Sequence, residues 1–464
     1  MSNVRDFGAV GDGRHDDAVA VQHALEMGDG ELEFPRGDYL FQRTIQVDLA
    51  KFGRTAIHGS GGVAKIVMDA PGPAFELRGT HQRTADPSHF RPEQWSRERM
   101  PVVKEIEIEG RHPQADGIRI VGVMMPTLTG VLIRRCRHGV HVTDRARNLL
   151  ISHCHIYHNT GVGIFLDRVN LHQCNIIGSH VSYNRLGGVR IENSEIRNLQ
   201  ITGNDIEYNN NRAFQTPDAD NVPTAEVYID CGESGTVREG TIASNTLQAT
   251  YSPNGANIRI IGSPTTDRQK AGMWTITGNV IGSQAINVHL TDTRGVTLDG
   301  NYIYSGHHRN LVLERCHGIV VGPNCFGHNP DYQDQELCTG IRLEDCESCT
   351  FTGVQIQDAL AGRHTVKDAV PIHRDALIEI LRCSRLNFTG LQVLDGAPVA
   401  MLLVDCRDTV ITGTSLFDTR STPLMEHAIK WIGDGGGNLV ANCRGNRPVV
   451  LPDHVAGHGN VFSA

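Results

Sequence analysis

No apolar run in this chain approaches the roughly 18 residues that a membrane-spanning helix needs, so no membrane partner is expected. The N-terminus is polar from Ser2 onward and lacks the apolar core of a signal peptide. As written, that points to the cytoplasm, or to secretion if a leader has been removed. Basic charge is not in excess either. The formal net charge is −9 and the isoelectric point about 6.2, which argues against nucleic acid, a partner that wants a basic face. The run His153-Cys154-His155 has no second Cys/His pair at zinc-finger spacing, and strand alternation would turn its neighbours to opposite faces. No metal and no cofactor are therefore expected. Twelve cysteines in 464 residues are not the framework of a small disulfide scaffold. Cys316, Cys346, Cys383 and Cys406 share one phase of a repeat, which suits a stack of buried thiols better than bridges and favours a reducing compartment.

What is present is a short phrase: an aliphatic residue, a spacer, a small residue, a variable stretch and another aliphatic. It reads Ile176-Ile-Gly178-Ser-His-Val181, Ile201-Thr-Gly203-Asn-Asp-Ile206, Ile276-Thr-Gly278-Asn-Val-Ile281 and Leu298-Asp-Gly300-Asn-Tyr-Ile303. Its small-residue position recurs at Gly130, at His153 (where one substitution departs from the phrase), at Gly178 and Gly203, and again at Gly278, Gly300 and Gly322, a period of roughly 22 to 25 residues that marks a solenoid. An alternating triplet follows each phrase, as in Val140-His-Val142, Ile164-Phe-Leu166, Val189-Arg-Ile191, Val227-Tyr-Ile229, Ile258-Arg-Ile260 and Val288-His-Leu290. Alternation over three residues says strand, with the outer two side chains inward and the middle one outward. Two or three such strands per turn, all of one polarity, make an all-β fold, a right-handed parallel β-helix in which each rung buries its inner face against its neighbours. Asn204, Asn245, Asn279 and Asn301 follow the small residue and are expected to form a stacked ladder of amides at one corner. We expect one β-helix domain over 1–464, with cap and first strands in 1–45, rungs in 105–445 and a C-terminal end in 446–464.

The N-terminal stretch reads Asp6-Phe-Gly-Ala-Val-Gly-Asp-Gly13, then Asp16-Asp17, a segment with Ala18, Val21, Ala24 and Leu25 on one stripe, and Phe34-Pro-Arg-Gly-Asp-Tyr39. A capped amphipathic helix there would cover the open first rung. Asp12, Asp16 and Asp17 read as cap and turn residues. This stretch, about the first 45 residues, closely resembles the start of the pectate lyase/polygalacturonase-like superfamily of right-handed β-helix proteins. The resemblance implies a carbohydrate-active protein: a polysaccharide lyase, glycoside hydrolase, epimerase or phage-type depolymerase. Trimers are common among such enzymes, so a homo-oligomer is part of the expectation. The polygalacturonase branch adds an Asn-Thr-Asp that this chain lacks, and the Gly-His-Gly at Gly457–Gly459 lies past the last rung. The resemblance therefore does not carry that particular activity, and no pectate-lyase Ca²⁺ cluster maps onto the chain.

Insertions in a repeat become loops, often on the binding face. Residues 81–103 carry Arg83, Phe90, Arg91, Trp95, Arg97 and Arg99, and residues 209–225 carry Asn211, Arg212, Asp218 and Asp220. Shorter insertions lie at 262–273, 327–339 and 358–375. Between roughly 150 and 290 the outward positions collect His, Tyr, Arg, Asp and Glu, whereas a solvated sheet would show Thr, Ser and Lys. Rings pack on sugar faces, and planar polar groups bond hydroxyls. Asp205, Glu207 and Glu226 are the carboxylates nearest the longest mid-chain insertion and the expected catalytic residues, because glycosidic cleavage uses paired carboxyl groups. His180, Arg190, Tyr208, Tyr228, Arg259 and His289 are the expected substrate contacts. The leading expectation is hydrolysis or intramolecular glycosyl transfer on an oligo- or polysaccharide. A β-eliminating lyase would instead use Arg190 and Arg259 on a uronate and His180 or Tyr208 as base. A non-catalytic glycan-binding or spike-like protein is the third reading.

Overall fold

The computed structural model describes residues 2–82, 91–210, 222–263, 270–329, 331, 339–358 and 374–463. It divides into two compact units, Met1–Asp220 with Thr224–Thr241, and Asn221–Pro223 with Ile242–Ala464. Each unit is a right-handed parallel β-helix with three strands per turn. The phrase supplies two of them, one on each side of its small residue, and the triplet supplies the third. We call these the first, second and third sheets.

In the first unit the inward aliphatics stack in register. Leu128, Ile151, Ile176 and Ile201 line the first sheet. Ile133, Ile156, Val181 and Ile206 line the second. Val140, Ile164, Val189 and Val227 line the third. All are fully buried or nearly so, each contributing about 1.5–3 kcal/mol of apolar burial before entropy is counted. Where the third sheet runs into the first, the chain bends through left-handed residues such as Asp144 and Asn148, so one extended stretch, Val140–Ser152, serves two faces.

The N-terminal cap forms as its residues dictate. The helix Ala18–Met27 buries Ala18, Val21, Ala24 and Leu25. Asp16 accepts from Ala18 N and Gln42 N, both at 3.1 Å. Asp17 accepts from Val10 N and Gly11 N, and Asp12 from Arg14 N and His15 N. These carboxylates hold backbone, as expected for cap and turn residues. Edge-to-face contacts link Phe34 with Tyr39 and Phe41 with Phe75 beneath the helix.

The second unit repeats the plan. Ile258, Val288, Leu311, Ile341, Ile378, Met401 and Ile429 stack in its third sheet. The amide ladder at the corner between first and second sheets is realised here: Asn245 Nδ2 donates to Asn279 Oδ1, Asn279 Nδ2 to Asn301 Oδ1 and Asn301 Nδ2 to Asn324 Oδ1, at 2.9–3.0 Å. In the first unit the same corner is closed by unlike groups. Asn204 Oδ1 accepts from Ser179 N at 3.0 Å, and Ser179 Oγ accepts from Cys154 N at 3.1 Å. Cys316, Cys346, Cys383 and Cys406 are free and buried, with Cys383 Sγ accepting from Cys346 N at 3.3 Å. Among the described residues no helix is long and apolar enough to cross a membrane.

Candidate active site

The phrase Gly203-Asn-Asp-Ile-Glu-Tyr208 turns through a left-handed glycine and sets Asp205–Glu207 as a strand of the second sheet. Ile206 points into the coil, so Asp205 and Glu207 share the outer face. In-register pairing places His155, His180 and Asp205 in one column and Tyr157, Ser182 and Glu207 in the next. His155 and His180 stack with ring centroids 5.2 Å apart and planes 4° apart. His180 Nδ1 lies 3.3 Å from Asp205 Oδ2. The carboxyl of Glu207 is pushed up to about 7 by partial burial, then by the charge of Asp205 and a hydrogen bond with it. Two carboxyl groups in contact cannot both hold full charge at low cost, so the pair keeps a proton to near neutrality.

One residue further on, His158, Tyr183 and Tyr208 all occupy the left-handed region. Their rings form a ladder: His158 to Tyr183 at 5.0 Å and 15°, Tyr183 to Tyr208 at 5.5 Å and 10°. A flat aromatic strip thus runs beside the carboxyl pair.

Glu226 is elsewhere. It is fully buried, and its carboxyl accepts from Asn209 N at 3.0 Å and from Asn209 Nδ2. Asn209 continues an internal ladder: Asn184 Nδ2 donates to Asn209 Oδ1 and Asn159 Nδ2 to Asn184 Oδ1, both at 2.7 Å. Burial holds Glu226 well above the usual carboxylate range. This corrects the expectation that it shares the outward surface with Asp205 and Glu207. The reason lies in register. Glu226 stands where the preceding rungs carry Gly163 and Gly188, and a Cβ at Gly188 would lie 3.0 Å from Asn209 Nδ2. The lower rungs leave that space to an Asn amide, and at the last of them the side chain of Glu226 fills it. The missed signal is visible in the chain: His158-Asn159, Tyr183-Asn184 and Tyr208-Asn209 repeat as ring-then-amide pairs.

Arg190 and Tyr228 belong to the third sheet of the same unit, below and above one another in register. The Arg190 guanidinium lies 4.1 Å from the centre of the Tyr228 ring. It also bonds Glu192 through Nε at 2.7 Å and Leu186 O through Nη1 at 3.1 Å. Both side chains are buried rather than open. They form a column distinct from the carboxyl pair, which lies on the second sheet. Arg259 and His289 are register partners in the second unit, where His289 Nε2 meets Glu314 Oε2 at 3.2 Å. Of the insertion residues, Arg83, Phe90, Asn211, Arg212, Asp218 and Asp220 lie outside the described residues. The 91–103 part forms a short helical segment, Gln94–Glu98, whose Glu98 bonds Thr80 N and Thr80 Oγ1 at 2.7 Å.

The comparisons agree with the fold. The family described as the right-handed β-helix region matches residues 98–224. A curated relative, the plasmin and fibronectin-binding protein A of Streptococcus pneumoniae (strain ATCC BAA-255 / R6), is 44% identical over 48 residues, which is 9% of this chain and 7% of that one. Among solved structures the chain is similar to the Dettilon tailspike protein, with 13% identity, a TM-score of 0.50, and 76% of this chain and 65% of that one covered. It is also similar to tailspike protein 3 of bacteriophage CBA120, with 13% identity, a TM-score of 0.41, and 99% and 61% covered. DFA-IIIase from Arthrobacter chlorophenolicus A6 shows 12% identity, a TM-score of 0.42, and 100% and 98% covered. The chain spans less than two thirds of the length of the curated relative and of both tailspikes. The family match and the Dettilon likeness are ones of fold, and the class they define is the right-handed parallel β-helix. That is the fold implied by the resemblance of the first 45 residues.

Proposed function

We propose that this β-helix protein acts on a carbohydrate and cleaves its glycosidic bonds at the Asp205–Glu207 pair. The observation that supports this most is a carboxyl raised to about 7 on an accessible strand, in contact with a second carboxylate and flanked by a ring ladder. Glu207 acts as the general acid, giving its proton to the leaving glycosidic oxygen. The Asp205 carboxylate, bonded by His180, stabilises the positive charge that grows on the sugar ring, and the Glu207 carboxylate left by that donation takes the proton of the attacking group. Contact between the carboxyls is closer than the about 5–5.5 Å of a nucleophile–acid pair. The geometry therefore favours one acid with an electrostatic partner over a covalent glycosyl-enzyme. Tyr183 and Tyr208 supply faces for sugar rings. An attacking water gives hydrolysis, and an attacking substrate hydroxyl gives intramolecular transfer.

The lyase reading loses its arginine clamp in the first unit, because Arg190 is already bonded to Glu192 and stacked on Tyr228. The test is incubation with neutral and uronate-containing glycans while reducing ends, ultraviolet absorbance and cyclic products are followed. New reducing ends without absorbance, or a cyclic product, support the proposal. Absorbance from unsaturated ends points to the lyase instead, and binding without turnover points to a glycan-binding protein.

A further inference from the structure

A groove of about 450 Å³ opens on the outer face of the second sheet within the second unit, a size that suits a small ligand. A gap in that face makes room for it. Tyr302, Cys325 and Gln355 are register partners on consecutive rungs, and Gly327 follows Tyr304 in the neighbouring column. Gly327 has no side chain to fill its place. A Cβ there would lie 2.8 Å from Tyr302 Oη and 3.3 Å from Tyr302 Cζ, so the glycine lets the Tyr302 ring reach across from the preceding rung. That ring is 41% exposed. It lines the groove together with the exposed side chains of Gln355 and Gln357.

The charges around the groove are spent on one another. Asp358 is bonded by Arg374. Asp395 accepts from Gln357 Nε2 at 2.9 Å, from Thr419 N at 2.6 Å and from Thr419 Oγ1 at 2.8 Å. Arg420 gives Nε and Nη2 to Asp418 at 2.8 and 2.9 Å, which leaves Nη1 for a ligand. His328 Nδ1 meets Ser305 Oγ at 3.1 Å. Among these described groups three carboxylates stand against two guanidiniums, so no positive charge is left over to draw an anion. What the groove offers is an open phenol ring, the amide of Gln355 and the Nη1 edge of Arg420. Such a ring packs on the C–H face of a sugar, and planar polar groups bond its hydroxyls. A wholly apolar ligand would leave those polar groups unpaired.

We propose that this groove, built wholly from the second unit, is a non-catalytic subsite for an uncharged sugar of a glycan, with the sugar stacked on Tyr302 and its hydroxyls on Gln355 and Arg420. The site rests on the glycan reading above but not on which residues cleave. Cys325 can report on it, since it lines the groove and is the one free cysteine among the described residues that is not buried. The experiment follows alkylation of Cys325 by iodoacetamide in the full chain, read by peptide mass spectrometry. The probes are neutral hexamers of galactose, mannose, glucose and fructose, and a galacturonate hexamer. A Glu207→Gln background keeps the probes intact. At least one neutral hexamer is expected to slow the labelling five-fold or more at saturation, and the galacturonate hexamer to leave it unchanged. Tyr302→Ala should raise the half-protecting concentration about five- to ten-fold. Gln355→Ala, a change to an exposed side chain, should raise it about two- to three-fold and keeps the test open if Tyr302→Ala does not fold. Protection of Cys325 in a protein that cleaves no glycan would uphold this site and remove only the catalytic reading. Labelling unaffected by every neutral hexamer, equal protection by galacturonate, protection insensitive to both variants, or a Cys325 that does not react without sugar would overturn the proposal.

Discussion

The two units solve one corner from opposite sides. Before the inward triplet of the third sheet, the first unit has Gly163 and Gly188, and the buried amide comes from Asn159, Asn184 and Asn209 at the end of the second sheet. In the second unit the position before the triplet itself carries the amide. Asn257 Nδ2 donates to Asn287 Oδ1 at 2.8 Å, and Asn287 Nδ2 to Asn310 Oδ1 at 2.6 Å. The corner demands a buried group that satisfies backbone, and either flank can provide it. Glu226 is the first unit's exception: a carboxyl in a glycine column, ending an amide ladder.

The residue after the second-sheet strand differs just as sharply. On three consecutive rungs of the first unit it is a ring: His158, Tyr183 and Tyr208. On three consecutive rungs of the second it is Asp358, Asp395 and Asp418. Those aspartates are consumed by partners. Arg374 bonds both oxygens of Asp358, and Thr419 bonds Asp395 through N and Oγ1. Burial works to raise Asp418, but the Arg420 fork and backbone N–H groups outweigh it and hold the carboxyl well below its usual range. A carboxylate with its lone pairs filled is structural. Glu207, partly desolvated against another carboxylate and lacking such donors, is the one poised to hold and release a proton.

This contrast can be broken in several ways. Glu207→Gln should lower turnover by about 10²–10⁴-fold, as expected for loss of a general acid, measured as glycan cleavage with folding checked by circular dichroism. Full activity in that variant would remove the pair from the chemistry. In the wild type, activity should fall as pH rises through about 7, because Glu207 loses the proton it must donate. Arg374→Met should destabilise the second unit by about 3–5 kcal/mol, since Asp358 is left as a buried unpaired charge. A melting temperature unchanged by that substitution would refute the structural reading of the Asp column.

Glu226→Ala should cost about 1–3 kcal/mol by orphaning the Asn209 donors, read from chemical denaturation. Its pH dependence has a definite sign. The folded carboxyl sits above its ordinary value of 4.5, so its contribution to stability is full below that value and is lost as pH rises through the raised one. Glu226→Gln should therefore flatten the decline in melting temperature as pH rises above about 4.5. The smallest effect expected is for Tyr183→Ala: a weaker KM by about five- to ten-fold, near 1 kcal/mol of ring contact, with kcat little changed. A change confined to kcat would show that the ladder positions the acid rather than the sugar.

The period, the cap and the register were legible along the chain. Each inward triplet, and the amides at Asn279 and Asn301, behave as alternation and turn chemistry require, because these features are local and repeat. Asp205 and Glu207 were legible as neighbours because residues two apart on a strand share a face. Arg190 and Asp205 were less legible. Both point outward, but on different sheets, and the phrase alone does not reveal that its two aliphatics lie on separate strands of one turn.

The periodic pattern of apolar and small residues was enough to dictate a coil of parallel strands, since every rung has the same inner face to bury. Which carboxyls face solvent, which fill a corner and which are neutralised by arginine depended on groups that the coil brings together from separate strands, as with Asn209 and Glu226 or Asp358 and Arg374. Charge and hydrogen-bond partners act across those few ångströms, and the linear order of the residues does not state them.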